Sequence, residues 1–534
     1  MTRRAPALVQ AALGGGLHAL ALAWPFAWAP PGISPGQPVW WLQVLSLVLL
    51  AGLLQRAPTW PQAALRGWLF ALAMLTGTFW WLYISMHTYG GLAAPLTVAA
   101  VLGLAGFLAV YYGVAGAVYG ALFARRRVHP LWAAVLFAAL WTLAELLRGH
   151  WFTGFPWGAS GYAHLDGPLA TWPRYVGVYG TGAVAALLSA SLLALLGALA
   201  QPRGWLAPAA AVLALGAVSW ALPGPAEPLA RTGPIVAGPP PGSAGWLDVT
   251  LLQGNIPQDE KFQPGKGVPD ALDWYGRQLM AADTSLVVGP ETAVPLLPGD
   301  LPPGYWDMLQ NRFAKGDGAA LLGIPLGNLE AGYTNSVVGL KPGQPAVYEY
   351  AKHHLVPFGE FIPLGFRWFT ELMHIPLGDF NRGAVGQPSF DWQGQRLAPN
   401  ICYEDLFGEE LGARFSNPAA APTIFVNVSN IGWFGDSVAI DQHLHISRMR
   451  AREFERPFVR ATNTGATVVI DHLGRVTHAL PRLTRGVLVG TVEGRTVTTP
   501  FAWWVSRFGL VPLWLLALGL VAVAFLVRGL RLPR

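Results

Sequence analysis

The sequence predicts an α-helical membrane bundle of about eight transmembrane helices joined to an α/β domain outside the membrane. Three observations support this fold class. The chain is 53% hydrophobic and only 12% charged, whereas soluble domains carry roughly 25% charged residues. The apolar stretches are concentrated in residues 5–222 and 506–527. The intervening residues, 246–499, have the charge density and mixed patterning of a soluble domain.

Each apolar stretch approaches or exceeds the roughly 20 residues that a helix needs to cross the hydrocarbon core. Arg3-Arg4, an apolar run and Ala27-Trp28-Ala29 also imitate a signal peptide. Because the run is longer than a usual signal core and further spans follow, we interpret it as a retained helix. The predicted spans are 8–29, 38–55, 64–84, 93–123, 130–147, 176–200, 204–222 and 506–527.

The distribution of arginine orients these spans. Alternate loops are basic, whereas the loops at 30–37 and 85–92 contain neither Lys nor Arg. By the positive-inside rule the N-terminus is cytoplasmic, residues 223–505 lie on the outer side, and the last span returns the C-terminus inside. Arg148 and Arg174 are a mild exception on the outer side. The arginines on the cytoplasmic side are Arg3, Arg4, Arg56, Arg66, Arg125, Arg126, Arg127, Arg203, Arg528, Arg531 and Arg534.

The net charge of +6 comes largely from these arginines, so it indicates topology and anionic lipid rather than nucleic acid. The sequence shows no phosphate loop, dinucleotide fingerprint or basic-aromatic motif, and we expect no nucleic-acid partner. Pro- and Gly-rich residues 223–245 are typical of a linker. They separate a seven-helix domain at 1–222 from the outer domain at 246–499, and 500–534 supplies the last helix.

From residue 246 the pattern changes to short β-rich runs separated by turn residues and helical segments. Lys341-Pro342-Gly343 between two such runs indicates a hairpin. Strands alternating with helices predict an α/β class. The predicted strands are 248–253, 285–289, 319–323, 337–340, 346–350, 423–428, 466–470 and 486–492, and the predicted helices are 268–282, 303–314 and 440–455.

Three residues with reactive side chains follow apolar runs of this domain, namely Glu291, Lys352 and Cys402. Cys402 is the only cysteine in 534 residues, which excludes an intramolecular disulfide and any multi-cysteine metal site. A lone cysteine is most often a buried apolar residue, and Glu291 and Lys352 taken singly fit a surface ion pair equally well. Together, the three residue types are typical of a nucleophilic site.

The chemistry of a thiol explains why these types belong together. A thiol with a pKa near ~8.5 is mostly protonated at neutral pH and needs a base or a nearby positive charge. Glu291 can take the proton, and Lys352 can balance the thiolate and stabilise the oxyanion of a tetrahedral intermediate. Backbone N–H groups just after Cys402 are candidates to complete that oxyanion hole. Such a set performs acyl transfer through a covalent thioester.

Glu291, Lys352 and Cys402, in this order and context, resemble the Glu–Lys–Cys triad of the nitrilase superfamily. That resemblance implies an αββα sandwich for roughly 246–499. With the flanking spans, nearly the whole chain resembles the apolipoprotein N-acyltransferase family, the membrane-embedded branch of that superfamily. The motifs that carry the likeness are Gln253-Gly254-Asn255-Ile256-Pro257-Gln258, Lys352-x-His354-Leu355-Val356-Pro357-Phe358-Gly359-Glu360, Cys402-Tyr403-Glu404 and Asn427-x-Ser429-Asn430-x-Gly432-Trp433-Phe434.

This resemblance implies an acyltransferase. Such an enzyme moves an acyl chain from a phospholipid, typically phosphatidylethanolamine, onto cysteine, and lysophospholipid leaves. The chain then passes to the α-amine of the diacylglyceryl-cysteine that begins an apolipoprotein, which is ping-pong chemistry. The resemblance further implies no metal, ATP or organic cofactor, and a monomer in the bacterial cytoplasmic (inner) membrane with its catalytic domain on the periplasmic side.

The resemblance also extends to accessory residues. Glu360 would orient Lys352 or help protonate the leaving alkoxide. Tyr403 and Glu404 would shape the pocket beside the nucleophile, although structural roles fit them equally well. Asn335 would form hydrogen bonds near the site or satisfy a turn.

Aromatic residues are candidates for contact with lipid. Trp433 and Phe434, flanked by glycines, fit a flexible apolar loop that dips toward the membrane, and residues 361–369, with Arg367 for a lipid phosphate, are a second candidate. Core packing is the competing explanation for both. Phe262 stands where family members often have Trp in a mobile segment, and either aromatic can meet an acyl chain.

Glu145 and Arg148, near the outer end of the fifth span, are candidate headgroup ligands or a structural ion pair. Two other functions compete with phospholipid-dependent N-acylation. A membrane-anchored carbon–nitrogen hydrolase acting on a small amide would use the same triad, but it would need neither eight spans nor an apolar lid. A transporter with an outer sensor domain should show polar pairs at mid-membrane or interrupted repeats, and the sequence shows neither convincingly.

Overall fold

A computed structural model describes residues 4–123, 129–199, 205–228, 241–344, 346–363 and 380–529. The chain forms two compact units. The helical unit comprises 1–83, 93–224 and 510–534, and the sheet unit comprises 84–92 and 225–509. Several residues used in the predictions lie outside the described residues, namely Arg3, Arg125, Arg126, Arg127, Arg203, Arg531, Arg534 and 364–369.

The helical unit has a helix at each predicted span. Among the described residues, four helices are long and apolar enough to cross a membrane. A fifth candidate results if the broken pair Pro500–Phe508 and Val511–Leu526 counts as one span. The observed bundle therefore has four to five candidate spans, and the number eight stays a prediction. The helices are α1 Arg4–Leu22, α2 Trp40–Gln55, α3 Trp60–Phe79, α4 Ala94–Phe123, α5 Pro130–His150, α6 Pro173–Ala198, α7 Leu206–Ala221 and a final helix Val511–Gly529.

Glycines let two of these helices approach closely. A Cβ on Gly67 of α3 would lie 2.7 Å from the carbonyl oxygen of Tyr112 in α4, and one on Gly116 of α4 would lie 2.6 Å from that of Ala63 in α3. Backbones in such close contact gain van der Waals attraction, which is a main source of helix association in lipid. Small residues in the apolar stretches thus serve helix packing.

The sheet unit is built on two six-stranded sheets. Its strands are β1 Ser243–Gln253, β2 Leu286–Val288, β3 Ala319–Asn328, β4 Gly332–Leu340, β5 Tyr348–Ala351, β6 Phe390–Trp392, β7 Gln395–Ile401, β8 Ile424–Ser429, β9 Phe458–Thr462, β10 Val468–Ile470, β11 Val476–Ala479 and β12 Gly486–Arg495. The strand orders are β12-β1-β2-β3-β4-β5 and β11-β10-β9-β8-β7-β6. β1, β2 and β3 are parallel, as are β7, β8 and β9, and antiparallel strands extend each sheet at both edges.

Helices cover the outer faces of the two sheets, which gives αββα layering. Val288 of the first sheet packs with Val426 of the second in the core between them. Val287 points the other way, into a core with the helices, because successive side chains of a strand alternate between faces. On the second sheet, Phe425 meets Phe454 with ring centroids 5.7 Å apart. The helices of this unit are α8 Gly267–Ala281, α9 Tyr305–Lys315, α10 Gly408–Gly412, α11 Ala439–Phe454 and α12 Pro500–Phe508.

The predicted strands and helices of this unit are all present. Each predicted strand overlaps an observed one, and Lys341-Pro342-Gly343 joins the antiparallel strands β4 and β5. The three predicted helices correspond to α8, α9 and α11. The apolar run before Cys402 corresponds to β7, and the sequence pattern does not predict β6, β9, β11, α10 or α12. The unit has the two sheets and covering helices of a nitrilase-like fold.

Candidate active site

Three strand ends of the sheet unit bring the predicted catalytic residues together. Glu291 follows β2 and Lys352 follows β5 in the first sheet, and Cys402 follows β7 in the second. Lys352 Nζ lies 3.5 Å from Glu291 Oε1, and the charges of both residues act on the Cys402 thiol. Strands from both sheets therefore contribute to one site.

The carboxylate of Glu291 is held by three neighbours. Its Oε1 accepts hydrogen bonds from Asn335 Nδ2 at 2.7 Å and Lys352 Nζ at 3.5 Å. Its Oε2 accepts one from the backbone N–H of Asn430 at 2.9 Å. A Cβ on Gly323 of β3 would lie 2.7 Å from the Glu291 Cα, so glycine is what lets the two backbones pass. The carboxylate is therefore oriented by its neighbours before substrate binds.

Glu360 and Asn335 extend this network. Asn335 Nδ2 also donates to Glu360 Oε1 at 2.7 Å, and Lys352 Nζ forms an ion pair with Glu360 at 2.9 Å. The other oxygen of Glu360 accepts from the backbone N–H of Val356 at 2.8 Å. Burial lowers the pKa of Lys352, but the carboxylates of Glu360 and Glu291 outweigh burial and raise that pKa above its ordinary value. The ammonium group is therefore retained at all physiological pH values.

Cys402 begins a short 3-10 turn in a left-handed backbone conformation, with φ of 51°. Non-glycine residues adopt this conformation only where the surroundings enforce it. The Cys402 carbonyl oxygen accepts from His443 Nε2 at 3.2 Å and from Asn427 Nδ2 at 3.3 Å. Burial, reinforced by the charge of Glu291, raises the pKa of the thiol to about 12. The resting thiol is thus protonated, and its attack needs a base.

A buried ionic network supports this turn. Asp405 accepts hydrogen bonds from Ser447 Oγ, from Arg460 at 3.1 Å and from His443 Nε2 at 3.1 Å. A second nitrogen of Arg460 faces His443 Nδ1 at 3.2 Å. Because a guanidinium only donates, we assign the imidazole proton to Nε2. That tautomer can donate to Asp405 and to the Cys402 carbonyl.

Glu404 connects the Cys402 turn to the loop after Lys352. Its two oxygens accept four hydrogen bonds of 2.6–3.2 Å. The donors are the backbone N–H groups of Ile401, His353 and His354 and the hydroxyl of Tyr350. With both oxygens engaged in this way, Glu404 positions backbone segments, which favours a structural role over the alternative of shaping the substrate pocket.

Tyr403 is buried among aromatic rings. Its ring lies 5.7 Å from that of His354 and 5.3 Å from that of Phe407, measured between centroids. His354 in turn stacks on Phe407 at 3.5 Å. These contacts favour core packing, the structural alternative weighed for Tyr403.

The candidate lipid-facing aromatics lie on two turns of the sheet unit. Phe262, 51% exposed, is in the turn after β1, and Trp433, 37% exposed, is in the turn after β8. The second turn begins at Asn430, whose N–H donates to the Glu291 carboxylate. Trp433 meets Tyr89 edge-on with ring centroids 5.8 Å apart, and Phe434 is half-buried beside it.

Glu145 and Arg148 belong to the helical unit, where both are buried. Glu145 Oε1 accepts from the backbone N–H and from the hydroxyl of Ser160, each at 2.7 Å. Arg148 donates to the carbonyl oxygens of Phe155 and Trp157, each at 2.7 Å. These bonds tie the segment after α5 to that helix, which favours a structural role over that of a headgroup ligand.

Three residues of the site are not assigned a role by sequence reasoning. Lys261 Nζ donates to the carbonyl oxygen of Glu291 at 2.9 Å. Asn430 presents its N–H to the carboxylate, and His443 holds the Cys402 carbonyl. Asn430 stands inside the motif at 427–434, and Lys261 follows the motif at 253–258 by three residues, so proximity to these motifs is the sequence signal for both residues.

The arrangement can perform nucleophilic acyl transfer. Glu291 can take the proton of Cys402, and the Lys352 ammonium can stabilise the oxyanion that forms. Two stacked six-stranded sheets carrying a Glu–Lys–Cys site define a carbon–nitrogen hydrolase domain of the nitrilase type.

Comparison with known proteins narrows this class. The apolipoprotein N-acyltransferase N-terminal domain matches residues 20–191, and the carbon-nitrogen hydrolase domain matches 249–500. An apolipoprotein N-acyltransferase of Verminephrobacter eiseniae (strain EF01-2) is 57% identical over 96% of this chain and 95% of its own. One from Ralstonia nicotianae (strain ATCC BAA-1114 / GMI1000) is 44% identical over 98% and 93%. The chain belongs to the apolipoprotein N-acyltransferase family and is an acyltransferase.

A solved carbon-nitrogen hydrolase from Helicobacter pylori G27 is also similar, at 16% identity. The matched region spans 51% of this chain and 94% of the hydrolase chain, with a TM-score of 0.34.

Replacing Gly323 with alanine should displace Glu291, because the added Cβ would lie 2.3 Å from the Pro290 carbonyl oxygen. We expect the free energy of unfolding to fall by about 1–3 kcal/mol and acyltransferase activity to fall at least ~tenfold. Denaturant unfolding and kcat of the purified chain measure both. Gly299→Ala, whose Cβ would meet nothing within 4 Å, is the control. Wild-type activity in G323A would contradict the positioning of the base by this contact.

Replacing Glu404 with glutamine should loosen the Cys402 turn, since an amide nitrogen cannot accept hydrogen bonds from N–H donors. We expect a loss of about 1–3 kcal/mol in the free energy of unfolding, accompanied by lower kcat. Glu349→Gln, at an exposed position of β5, should change neither. Unchanged stability with lost activity would instead support contact between Glu404 and substrate.

Proposed function

We propose that this enzyme acylates the α-amine of the diacylglyceryl-cysteine at the N-terminus of lipoproteins. The acyl donor is a phospholipid of the phosphatidylethanolamine type, and the acyl chain passes through a thioester on Cys402 in a ping-pong mechanism. One observation carries the proposal: the site of Glu291, Lys352 and Cys402 lies in a chain whose relatives, over nearly its whole length, are named apolipoprotein N-acyltransferase.

The first half-reaction forms the thioester. Glu291 takes the thiol proton as Cys402 Sγ attacks the ester carbonyl of the phospholipid, and the resulting oxyanion is stabilised by the Lys352 ammonium. When the intermediate collapses, the ester C–O bond breaks. The departing alkoxide receives the proton from Glu291, and lysophospholipid leaves. The raised pKa of the thiol supports this order of events, because a protonated thiol requires the base at the moment of attack.

The second half-reaction forms the amide. The neutral α-amine of the acceptor attacks the thioester carbonyl, and Glu291 takes a proton from the ammonium that forms. The C–S bond breaks, and the thiolate recovers the proton from Glu291. The sequence of ester, thioester and amide is favourable because the final amide is more stable than the thioester. Glu360 and Asn335 hold Lys352 and Glu291 in place through both halves.

The proposed setting is the bacterial inner membrane, with eight spans and the sheet unit on the periplasmic side. The alternation of basic loops supports this orientation, and the four to five candidate spans support membrane residence. Both lipid substrates are available there, and the proposed enzyme acts as a monomer. The exposed aromatics Phe262 and Trp433 are proposed to contact the acyl chains.

A carbon–nitrogen hydrolase acting on a small amide is the second candidate, since residues 249–500 match that domain. The match of residues 20–191 to the acyltransferase N-terminal domain favours the transferase. The two differ in the acceptor, which is water for the hydrolase and an amine for the transferase.

Incubation of the purified chain with labelled phospholipid should give an acyl adduct on Cys402, visible by intact mass under non-reducing, neutral-to-acid conditions. Hydroxylamine should remove the adduct, and a diacylglyceryl-cysteine peptide should discharge it to the amide. Cys402→Ala should form none. Absence of the adduct in an enzyme that turns over would contradict the thioester mechanism, and discharge to water alone would favour the hydrolase.

Trp433→Asp should slow phospholipid turnover at least ~tenfold, because a carboxylate at a lipid-facing position opposes entry of an acyl chain. The rate at which iodoacetamide alkylates Cys402 in this variant should stay within about twofold of the wild-type rate, because that reagent is small and polar. Leu329→Asp, at a 93% exposed hairpin tip, is the control and should change neither rate. If both rates fall together in Trp433→Asp, the loss reflects misfolding, whereas unchanged phospholipid turnover in a folded variant would contradict the lipid-contact role.

A further inference from the structure

Lys261 is a buried lysine that the proposed mechanism leaves unused. It lies in the turn between β1 and α8, and its side chain is only 1% exposed. Within the described part of the chain, its Nζ has one hydrogen-bond acceptor, the Glu291 carbonyl oxygen at 2.9 Å. The lysine therefore contacts the backbone of the catalytic base directly.

A buried ammonium group is costly unless negative charge compensates it. One carbonyl oxygen satisfies only one of its three N–H donors. The charges that act on Lys261 are those of Glu291 and the Cys402 thiolate. Burial lowers the pKa of Lys261 to about 8 against these opposing charges. The negative charge of the site therefore offsets part of the free-energy cost of burying the Lys261 ammonium group.

The charges around the thiol show what Lys261 adds. Glu291 and Glu360 contribute two negative charges, and Lys352 contributes one positive charge. Lys261 supplies the second positive charge, so the four groups sum to zero. Transfer of the thiol proton to Glu291 keeps that sum, because the thiolate replaces the carboxylate. Among the other groups near Cys402, Arg460 is compensated by Asp405 at 3.1 Å.

We propose that Lys261 is a positioning residue of the active site, which fixes Glu291 through its carbonyl oxygen and keeps the site neutral while Cys402 ionises. The inference rests on the proposed use of Cys402 as nucleophile. Without the second cation, the buried site would carry one uncompensated negative charge both before and after the thiol proton moves to Glu291. The thiolate would then be less stable, and the base would be less well oriented.

The phenyl ring next in sequence gives this turn a second contact with the cation. Lys261 Nζ lies 5.8 Å from the centroid of the Phe262 ring, which is 51% exposed. A cation facing an aromatic ring is attracted by it. The turn therefore presents an aromatic surface outward and a cation inward to the base.

The test measures the rate of Cys402 alkylation by iodoacetamide on the full chain in detergent, from about pH 6 to about pH 10, where alkylation follows the thiolate fraction. In the wild type, the logarithm of the rate should rise with pH and bend to a lower slope near pH 8, where Lys261 loses its proton. In Lys261→Met, the alkylation rate at neutral pH should be about tenfold lower than in the wild type, which is equivalent to one unit in the thiol pKa. Its rate–pH curve should show no bend near pH 8.

Lys261→Arg keeps its charge above pH 8, so its rate should continue to rise where the wild type bends. Lys266→Met is the matched control. Lys266 lies in the same turn, where it is exposed and forms an ion pair with Glu260 at 3.4 Å. Its replacement should give the same dependence of alkylation rate on pH as the wild type. If Lys261→Met does not fold, Lys261→Arg decides. A Lys261→Arg or Lys261→Met profile identical to that of the wild type would overturn the proposal.

This assay uses no lipid, so its result is separate from that of the proposed function. A wild type that forms no acyl adduct would overturn the thioester mechanism, while the alkylation profile would still report whether Lys261 controls the thiol.

Discussion

The site depends on the placement of one carboxylate, that of Glu291. Its oxygens accept hydrogen bonds from the side chain of Asn335, the ammonium of Lys352 and the backbone of Asn430. The first two donors belong to one sheet, and Asn430 follows a strand of the other. In the proposed mechanism Glu291 receives and returns a proton twice per cycle, and a base in that role needs such a fixed orientation. The stacking of the two sheets is what brings these donors to a single side chain.

The strained turn at Cys402 is the counterpart of this fixed carboxylate. Cys402 holds a left-handed conformation that costs of order 1–3 kcal/mol, and the hydrogen bonds of His443 and Asn427 to its carbonyl help to hold it. Behind them, Arg460 and Asp405 form an ion pair buried to 1% exposure or less. These buried polar contacts, made by residues far apart in sequence, offset the backbone strain at Cys402. The position of the thiol therefore depends on the correct packing of β9, which carries Arg460, and of α11, which carries His443.

The sequence predicts Glu291, Lys352 and Cys402 as a candidate catalytic trio because each follows an apolar run, and the structure brings these three strand ends together from two sheets. The sequence is not enough for the residues that support them. Lys261 is an ordinary lysine in a polar turn, and only the fold reveals that it is buried. Strand β9 escaped the pattern because Arg460 stands in its centre, where a buried strand normally has an apolar residue, and pairs with Asp405 from another element. For Glu404, the motif indicates proximity to the nucleophile, whereas its hydrogen bonds show what it holds.

The sheet unit is not one continuous length of chain. Residues 84–92 lie between α3 and α4 in sequence but belong to the sheet unit, where Tyr89 packs against Trp433 and a Cβ on Gly435 would contact Ile84. A fragment that starts at residue 225 would lack this segment and leave the Trp433 turn without its edge-on partner. A chimera that takes only residues 225–509 from a relative would likewise place the Trp433 turn of one protein against the 84–92 segment of another. The two pieces are therefore expected to change together in evolution, although most of the helical unit separates them along the chain.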